Sequence, residues 1–433
     1  MLGVRSGMNE RGRSVWLNIV GIGEDGMAGL SAASRMALGE AEVIIGAPRH
    51  LRLLETSGQA ASGAEGATAF DDGGALRGRT AAELIEWPVP FAAGIERVLA
   101  LRGRRVVMLA SGDPFWFGAG SVICRHLAAD EWRVLPAPSV FSLAAARLGW
   151  ALEQTVCVGL HAAPFNRLRP QLASGARLLV LVRDGAAVGE LAAWLTVQGF
   201  GASTVHVLEA LGGPRERMRS LRAAGGIADE VLHPVTVGIE AMAASAVAMP
   251  CAAGRPDGLF EHDGQLTKRP MRALTLSALA PRPGERLWDI GAGSGSIGIE
   301  WLLSHPANQA VGFEADPQRA DRARRNALAL GADRLQVVTG RAPAVLEGQP
   351  APDAVFIGGG LSEALLQTLW ARLAVGTRLV ANAVTLESET VLANWHAKHG
   401  GHLLRVELAE AAPLGGRRGW KAAYPVVQWS VTR

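Results

Sequence analysis

Apolar residues along the chain fall in short runs, each closed by glycine or a small polar residue and followed by a stretch with helical spacing. Val15–Gly21 reads as a strand, Gly21–Gly26 as a glycine-rich turn and Ala28–Leu38 as a helix, with a second strand at Val43–Ile45. Thr56–Thr80, rich in Gly, Ala and Ser, is expected to form a surface loop. A helix over Phe91–Leu101 then leads to a strand at Arg105–Ala110, closed by Ser111-Gly112-Asp113-Pro114. A helix over Gly118–Ala128, a strand at Trp132–Leu135 and a helix from Ser139 follow, with further strands at Arg177–Val182, Ser203–Leu208 and Pro234–Ile239. Ala241–Gly254 breaks the rhythm, being uncharged and built from small residues with Pro250. Strands resume at Arg286–Ile290, Gln309–Glu314, Leu335–Val338, Ala354–Gly358 and Thr377–Asn382, with a late pair near His402–Leu408 and Tyr424–Val431. Alternation of this kind predicts two α/β domains. The plan is an N-terminal extension over 1–14, a domain over 15–242, a linker over 243–254 and a doubly wound domain over 255–433 with a closing antiparallel pair.

Composition adds little to that picture but removes several alternatives. At 433 residues, 49% hydrophobic and 19% charged, the chain has material for two cores. A net charge of +3 without an aromatic-basic stripe argues against nucleic acid. Cys124, Cys157 and Cys251 are too scattered for a disulfide framework or a zinc site, so no metal is expected. No apolar run reaches the length of a membrane span, and residues 1–14 lack the apolar core of a signal peptide. The expectation is a cytoplasmic protein that touches no membrane.

The strongest chemical signal is Leu287–Glu300, LWDIGAGSGSIGIE. A strand ends at Asp289, and Gly291, Gly293 and Gly295 carry the chain into a helix, so a ligand can approach the backbone at the helix N-terminus. A second strand ends at Glu314, where an acid can accept hydrogen bonds from a ribose diol. A dinucleotide site would need G-x-G-x-x-G, whereas the sixth position here is Ser296. Asp289 suits a ligand with a cationic end, and S-adenosylmethionine carries two. The spelling D-I-G-A-G-S-G resembles the first motif of class I methyltransferases. That implies a Rossmann-like domain with Asp289, Gly291, Ala292, Gly293, Ser294, Gly295 and Glu314 around the cofactor.

The N-terminal half resembles the class III tetrapyrrole methyltransferases. Its opening, IVGIGEDGMAGLSAASRMALGEAEVIIGAPRHL, is similar to their V-G-x-G-x-G turn, helix and A-x-V-I-x-G strand. Ser111–Pro114, Pro138-Ser139, Gly159-Leu160-His161 and Glu209–Arg217 match further segments in order, and Arg49-His50-Leu51 resembles the branch that methylates carbon 5 of a corrin precursor. The resemblance implies a two-lobed domain that holds S-adenosylmethionine between its lobes by Gly21, Gly23, Ser111, Gly112 and Asp113. Arg49 and His161 become candidates to face the substrate, and Asp113 a candidate for a catalytic role.

Upstream of the class I motif, Pro256–Phe260 and Leu266-Thr267-Lys268-Arg269-Pro270-Met271-Arg272 resemble the D-x-x-F…T-K-x-E-V-R leader of the decarboxylating precorrin methyltransferases acting at carbon 15. Gly340–Pro343, Phe356–Gly360 and Asn382–Glu387 agree with that family. One departure is Pro270, which stands where the family has glutamate; a proline suits the first turn of the following helix. By the resemblance, Thr267 and Ala342 join the cofactor set, Arg269 and Arg272 are candidates for substrate carboxylates, and Arg272, Asn382 and Glu387 are candidates for catalytic roles. Glu300 reads as a brace near the cofactor.

Together the two resemblances imply methylation of a precorrin at carbons 5 and 15, with loss of carbon dioxide from the acetate at carbon 12. The partner would be a small tetrapyrrole, with or without cobalt, and the chain a homo-oligomer. Methyl transfer to carbon needs alignment and a dry site rather than a protein nucleophile. That fits the absence of any G-x-S-x-G or Cys/His arrangement. Competing readings are a methyltransferase acting on RNA, a nucleotide-dependent oxidoreductase and a non-catalytic S-adenosylmethionine sensor.

Overall fold

Strands buried on both faces need near-continuous Val, Ile and Leu, and the runs at the head of each half supply them. The computed structural model describes residues 15–55, 82–227, 229–244 and 248–433. The extension over 1–14, the loop expected at Thr56–Thr80 and the middle of the expected linker lie outside the described residues. The chain divides into two compact units, Met1–Ala162 with Ser174–Ala246, and Ala163–Ala173 with Val247–Arg433.

The first unit carries two sheets, as a two-lobed domain requires. In the first, β1 (Leu17–Ile22), β2 (Val43–Gly46), β3 (Glu83–Glu86), β4 (Val106–Ser111) and β5 (Trp132–Leu135) lie parallel in the order β3-β2-β4-β1-β5. Side chains alternate along β1: Leu17 and Ile19 join one core, Val20 and Ile22 the other. Helices α1 (Ala32–Glu40), α2 (Pro48–Glu55), α3 (Phe91–Leu99), α4 (Gly120–Ile123) and α5 (Val140–Leu148) alternate with these strands. Ser31 and Ser139 cap α1 and α5 by accepting from Ser34 and Ser142 N–H at 3.1 Å. The second sheet has β6 (Thr155–Gly159), β7 (Arg177–Leu181), β8 (Thr204–Glu209), β9 (Arg217–Arg222) and β10 (Val235–Glu240) in the order β6-β7-β10-β8-β9. Only β6 and β7 run parallel in it, and α6 (Ala186–Leu195) follows β7.

The second unit is one seven-stranded sheet. Its elements are α7 (Arg269–Leu279), β11 (Arg286–Ile290), α8 (Ser296–Ser304), β12 (Gln309–Glu314), α9 (Pro317–Ala329), β13 (Gln336–Thr339), β14 (Ala354–Ile357), α10 (Glu363–Arg372), β15 (Arg378–Ala383) and α11 (Leu386–His399). β16 (His402–Val406) and β19 (Val426–Thr432) close it antiparallel, giving the order β13-β12-β11-β14-β15-β19-β16. This is the doubly wound α/β sheet expected of a class I methyltransferase. The strand order reverses beside β11, so the crevice for a ligand lies beyond the carboxyl ends of β11, β12 and β14. Pro270 does sit in the first turn of α7.

Several elements depart from expectation. The helix expected over Gly118–Ala128 shrinks to α4 and a 3-10 turn at Cys124–His126. Gly118 and Gly120 are there for close approach instead: a Cβ on either would lie 2.5 or 2.8 Å from the Pro114 carbonyl oxygen. β3, β6 and β9 were not foreseen; β9 reads RMRSLR, an arginine-rich edge strand whose pattern looks like a polar loop. Between the late strands the chain adds a separate hairpin, β17 (Ala409–Leu414) and β18 (Arg417–Ala422).

Candidate active sites

In the second unit the glycines of Leu287–Glu300 serve different ends. Gly291, Gly293 and Gly295 have φ of +72°, +57° and +77°, a region that penalises any Cβ. A Cβ on Gly291 would sit 2.5 Å from Gly359 N, because the β14–α10 loop packs directly on it. Over Gly293 nothing but the Gly291 carbonyl oxygen comes within 4.0 Å. Gly293 is therefore the bare floor of the crevice. Its N–H donates to Glu314 Oε2 at 2.7 Å, and Glu314 Oε1 accepts from Asp316 N–H at 3.0 Å. The glycine turn and the acid at the end of β12 thus meet at hydrogen-bond distance. Ala292 and Ser294 are buried beneath the loop, and the segment leading to Ala342 starts from Gly340 N–H on the Glu314 carbonyl at 2.8 Å.

Asp289 lies lower than expected. It is buried, and its Oδ2 accepts from Gly298 N–H at 3.0 Å, which steadies the start of α8. Burial, helped by the Glu314 charge and opposed by the Gly298 bond, pushes its carboxyl up to about 7. Its Oδ1 is buried without a hydrogen-bond partner among the described residues.

The leader is held from inside. Arg272 is fully buried, so its expected role as a receptor for a substrate carboxylate is corrected: no donor is left for a ligand to reach. Its Nε donates to Glu300 Oε1 at 2.7 Å, and its other nitrogens donate to the Thr267 and Arg255 carbonyls and to Asp257 Oδ1 at 3.0 Å. Glu300 also accepts from Gly254 and Arg255 N–H at 2.7 and 2.9 Å. It braces the leader rather than a ligand. Arg269 donates from Nε to the Gly254 carbonyl at 2.8 Å and is otherwise exposed beside half-buried Thr267. Asn382 is half-buried, donating to Thr275 Oγ1 at 3.0 Å and accepting from Gln428 Nε2 at 2.9 Å. Glu387 is exposed in the first turn of α11, where a carboxylate favours the helix dipole. Beside it, Val384 and Leu386 leave apolar surface open to solvent at the carboxyl end of β15.

In the first unit three backbone segments meet at the carboxyl ends of β1, β4 and β5. Gly112 N–H donates to the Ile22 carbonyl at 3.0 Å and Ala137 N–H to the Gly112 carbonyl at 3.1 Å. A Cβ on Gly21 would lie 1.9 Å from that carbonyl oxygen. Gly23, one turn later, is crowded by its own Asp25 side chain. Asp113 accepts from Phe115 N–H at 2.8 Å and so shapes its own loop. Around this junction stands a polar cluster. Arg49 pairs with Glu24, and its Nη2 donates to Ser111 Oγ at 2.8 Å and to His50 Nε2 at 3.1 Å. Arginine can only donate, so His50 Nε2 is the acceptor and the hydroxyl of Ser111, 2.9 Å away, points its proton there too. Burial and the Arg49 charge hold the His50 pKa down at about 4, so the ring is neutral. His161 is exposed, and burial together with the Arg49 charge depresses the pKa of His233.

Glu24, Arg215 and His233 did not stand out in the sequence. The partners of Glu24 lie 25 and 191 residues away, which no local pattern reveals. Among the described residues, no group of three or more His, Cys, Asp or Glu side chains is placed to hold a metal ion.

The chain matches two family models, "Tetrapyrrole (Corrin/Porphyrin) Methylases" over residues 17–224 and "Precorrin methyltransferase domain" over residues 258–433. A precorrin-6Y C(5,15)-methyltransferase [decarboxylating] from Sinorhizobium sp is 49% identical over 97% of this chain and 97% of its own. The protein of that name from Mycobacterium tuberculosis (strain ATCC 25618 / H37Rv) is 40% identical over 96% of this chain and 99% of its own. A cobalt-precorrin-6B C(15)-methyltransferase (decarboxylating) from Salmonella typhimurium is 32% identical over 37% of this chain and 85% of its own.

Proposed function

We infer, from the premise that the chain belongs to the family of decarboxylating precorrin-6Y C(5,15)-methyltransferases, that it methylates precorrin-6Y at carbons 5 and 15 and removes carbon dioxide from the acetate at carbon 12. The product is precorrin-8X, on the route to cobalamin. The first unit acts at carbon 5; the second acts at carbon 15 and decarboxylates. The relatives that span nearly the whole chain are named for precorrin rather than cobalt-precorrin, which favours the cobalt-free ring. The reaction takes place in the cytoplasm; no helix among the described residues is long and apolar enough to cross a membrane.

The cofactor in both units is S-adenosylmethionine, which when bound supplies a methyl group already activated for in-line displacement. The observation that carries this reading is the open face of Gly293 beside Glu314. Glu314 accepts from the ribose hydroxyls, Gly293 lets the ligand lie against the backbone, and the unpartnered Asp289 oxygen offers an acceptor toward the cationic end. Thr267, held through its carbonyl by Arg272, closes the site from the leader side. Exposed Val384 and Leu386 give the macrocycle an apolar edge to lie on and exclude water from the reacting carbon. Loss of carbon dioxide leaves an electron pair that the conjugated ring accepts, so the protein's share is to bind and orient.

Self-association follows from the β17–β18 hairpin, which forms its own two-stranded sheet and exposes Leu414 and, at 80%, Trp420, with Tyr424 exposed just after it. A lone hairpin is barely stable in water, and a second copy of the chain would cover it. The test of function is mass spectrometry of precorrin-6Y incubated with the whole chain and S-adenosylmethionine labelled in its methyl group. The product should carry two labelled methyl groups and lack one carbon dioxide. Methyl gain without that loss would sink the assignment of the second unit.

A further inference from the structure

The Glu24 cluster contains one more cation than its carboxylate needs. Glu24 is nearly buried, and Arg49 already pairs with it while its Nη2 donates to Ser111 and His50. Arg215 reaches the same carboxylate through Nη2 alone, at 3.3 Å, and its side chain is 59% exposed. Two guanidiniums on one carboxylate leave a positive surplus at the carboxyl edge of the first sheet.

The loop carrying Arg215 is fastened on both sides of it. Glu216 accepts from Gly212 N–H at 2.7 Å and takes a two-pronged bond from Arg147 at 2.6 and 3.0 Å. Gly213 approaches so closely that a Cβ there would lie 2.5 Å from Glu24 Cβ. A guanidinium that is exposed, only singly bonded and mounted on a braced loop is an unfilled receptor for a planar anion. Glu24 holds one arm of its fork, so little side-chain freedom remains to be lost when a ligand arrives.

We propose that Arg215 receives a peripheral carboxylate of the macrocyclic substrate during methylation at carbon 5, with Glu24 holding it in place beforehand. The proposal rests on the function inferred above. It is tested by steady-state kinetics of each methylation in the whole chain, with Arg215→Gln and Arg215→Lys. Arg215→Gln should raise KM for methylation at carbon 5 about 10-fold or more. Its kcat, the affinity for S-adenosylmethionine, the melting temperature and methylation at carbon 15 should stay at parental values. Arg215→Lys, which keeps a point charge, should recover part of that KM. An unchanged KM overturns the proposal, as does a KM that rises only in step with lost cofactor affinity and melting temperature, which a purely structural pairing with Glu24 would produce. A parent chain that never methylates carbon 5 overturns the functional reading instead.

Discussion

Replacing Glu300 by Gln tests whether the leader of the second unit is positioned by buried charge. In the parent, Glu300 and Arg272 are both fully buried, with Arg255 only 5% exposed and 3.6 Å from Glu300. Arg272→Met would leave Glu300 with Arg255 and two backbone N–H donors, so its charge stays compensated. Glu300→Gln takes the carboxylate from Arg255, leaves Arg272 with Asp257 alone, and turns an amide NH2 toward donors. Removing one partner of a buried pair costs about 3–5 kcal/mol. For a unit of this size roughly 2–4 °C is lost per kcal/mol, so a fall of about 6–20 °C is expected in its melting transition. Calorimetry should rank parent above Arg272→Met above Glu300→Gln. Hydrogen exchange should show lost protection concentrated in residues 254–272. A Glu300→Gln chain that melts within about 2 °C of the parent and protects the leader equally would refute the reasoning.

Four further outcomes follow from the same structure. Gly291→Ala, driven against Gly359 N at 2.5 Å, should cost at least ~2 kcal/mol. Gly293→Ala should cost about 1 kcal/mol yet weaken S-adenosylmethionine at least ~10-fold by calorimetry; normal binding there would move the cofactor elsewhere. Asp289 titrates near 7 instead of 3.8 in the folded state, so the folded protein holds a proton that the unfolded chain has already lost. That stabilisation is complete below about pH 4 and disappears as pH rises through about 7. Asp289→Asn should therefore flatten the fall in denaturant stability across this window, and an unaltered slope would refute the assignment. Leu414→Ser with Trp420→Ser should shift the chain to a smaller species in sedimentation velocity while both methylations persist; an unchanged sedimentation coefficient would remove the hairpin from the interface.

The main strands of both sheets at the candidate sites were legible because buried parallel strands are near-continuously apolar, as at Ala354–Ile357 and Val106–Ala110. The glycine turn was legible too, since left-handed backbone penalises any Cβ. β9 was not: its pairing to β8 puts Arg219 within 3.2 Å of Glu209, so the charge that makes it look like a loop is neutralised only in the folded sheet. The hairpin at Ala409–Ala422 escaped for a related reason, since its apolar residues are exposed within this chain. Arg272 was misread because arginine beside a cofactor motif suggests a ligand. Its partner Glu300 lies on the far side of the motif, a full helix away in sequence.

That misreading points to what separates a structural arginine from a receptor in this protein. Beside its glycine turn each unit has a buried glutamate serving two arginines: Glu300 with Arg255 and Arg272, Glu24 with Arg49 and Arg215. The chemistry is the same, so residue type cannot distinguish them. Solvent does. In the second unit both guanidiniums are dry, Arg272 gives its donors to Glu300, two carbonyls and the Asp257 carboxylate, and the cluster's strength goes into the shape of the leader. In the first unit one guanidinium is committed and the other faces water with donors to spare. Substituting the committed arginine of either pair should register first as stability, and substituting Arg215 should register as substrate KM.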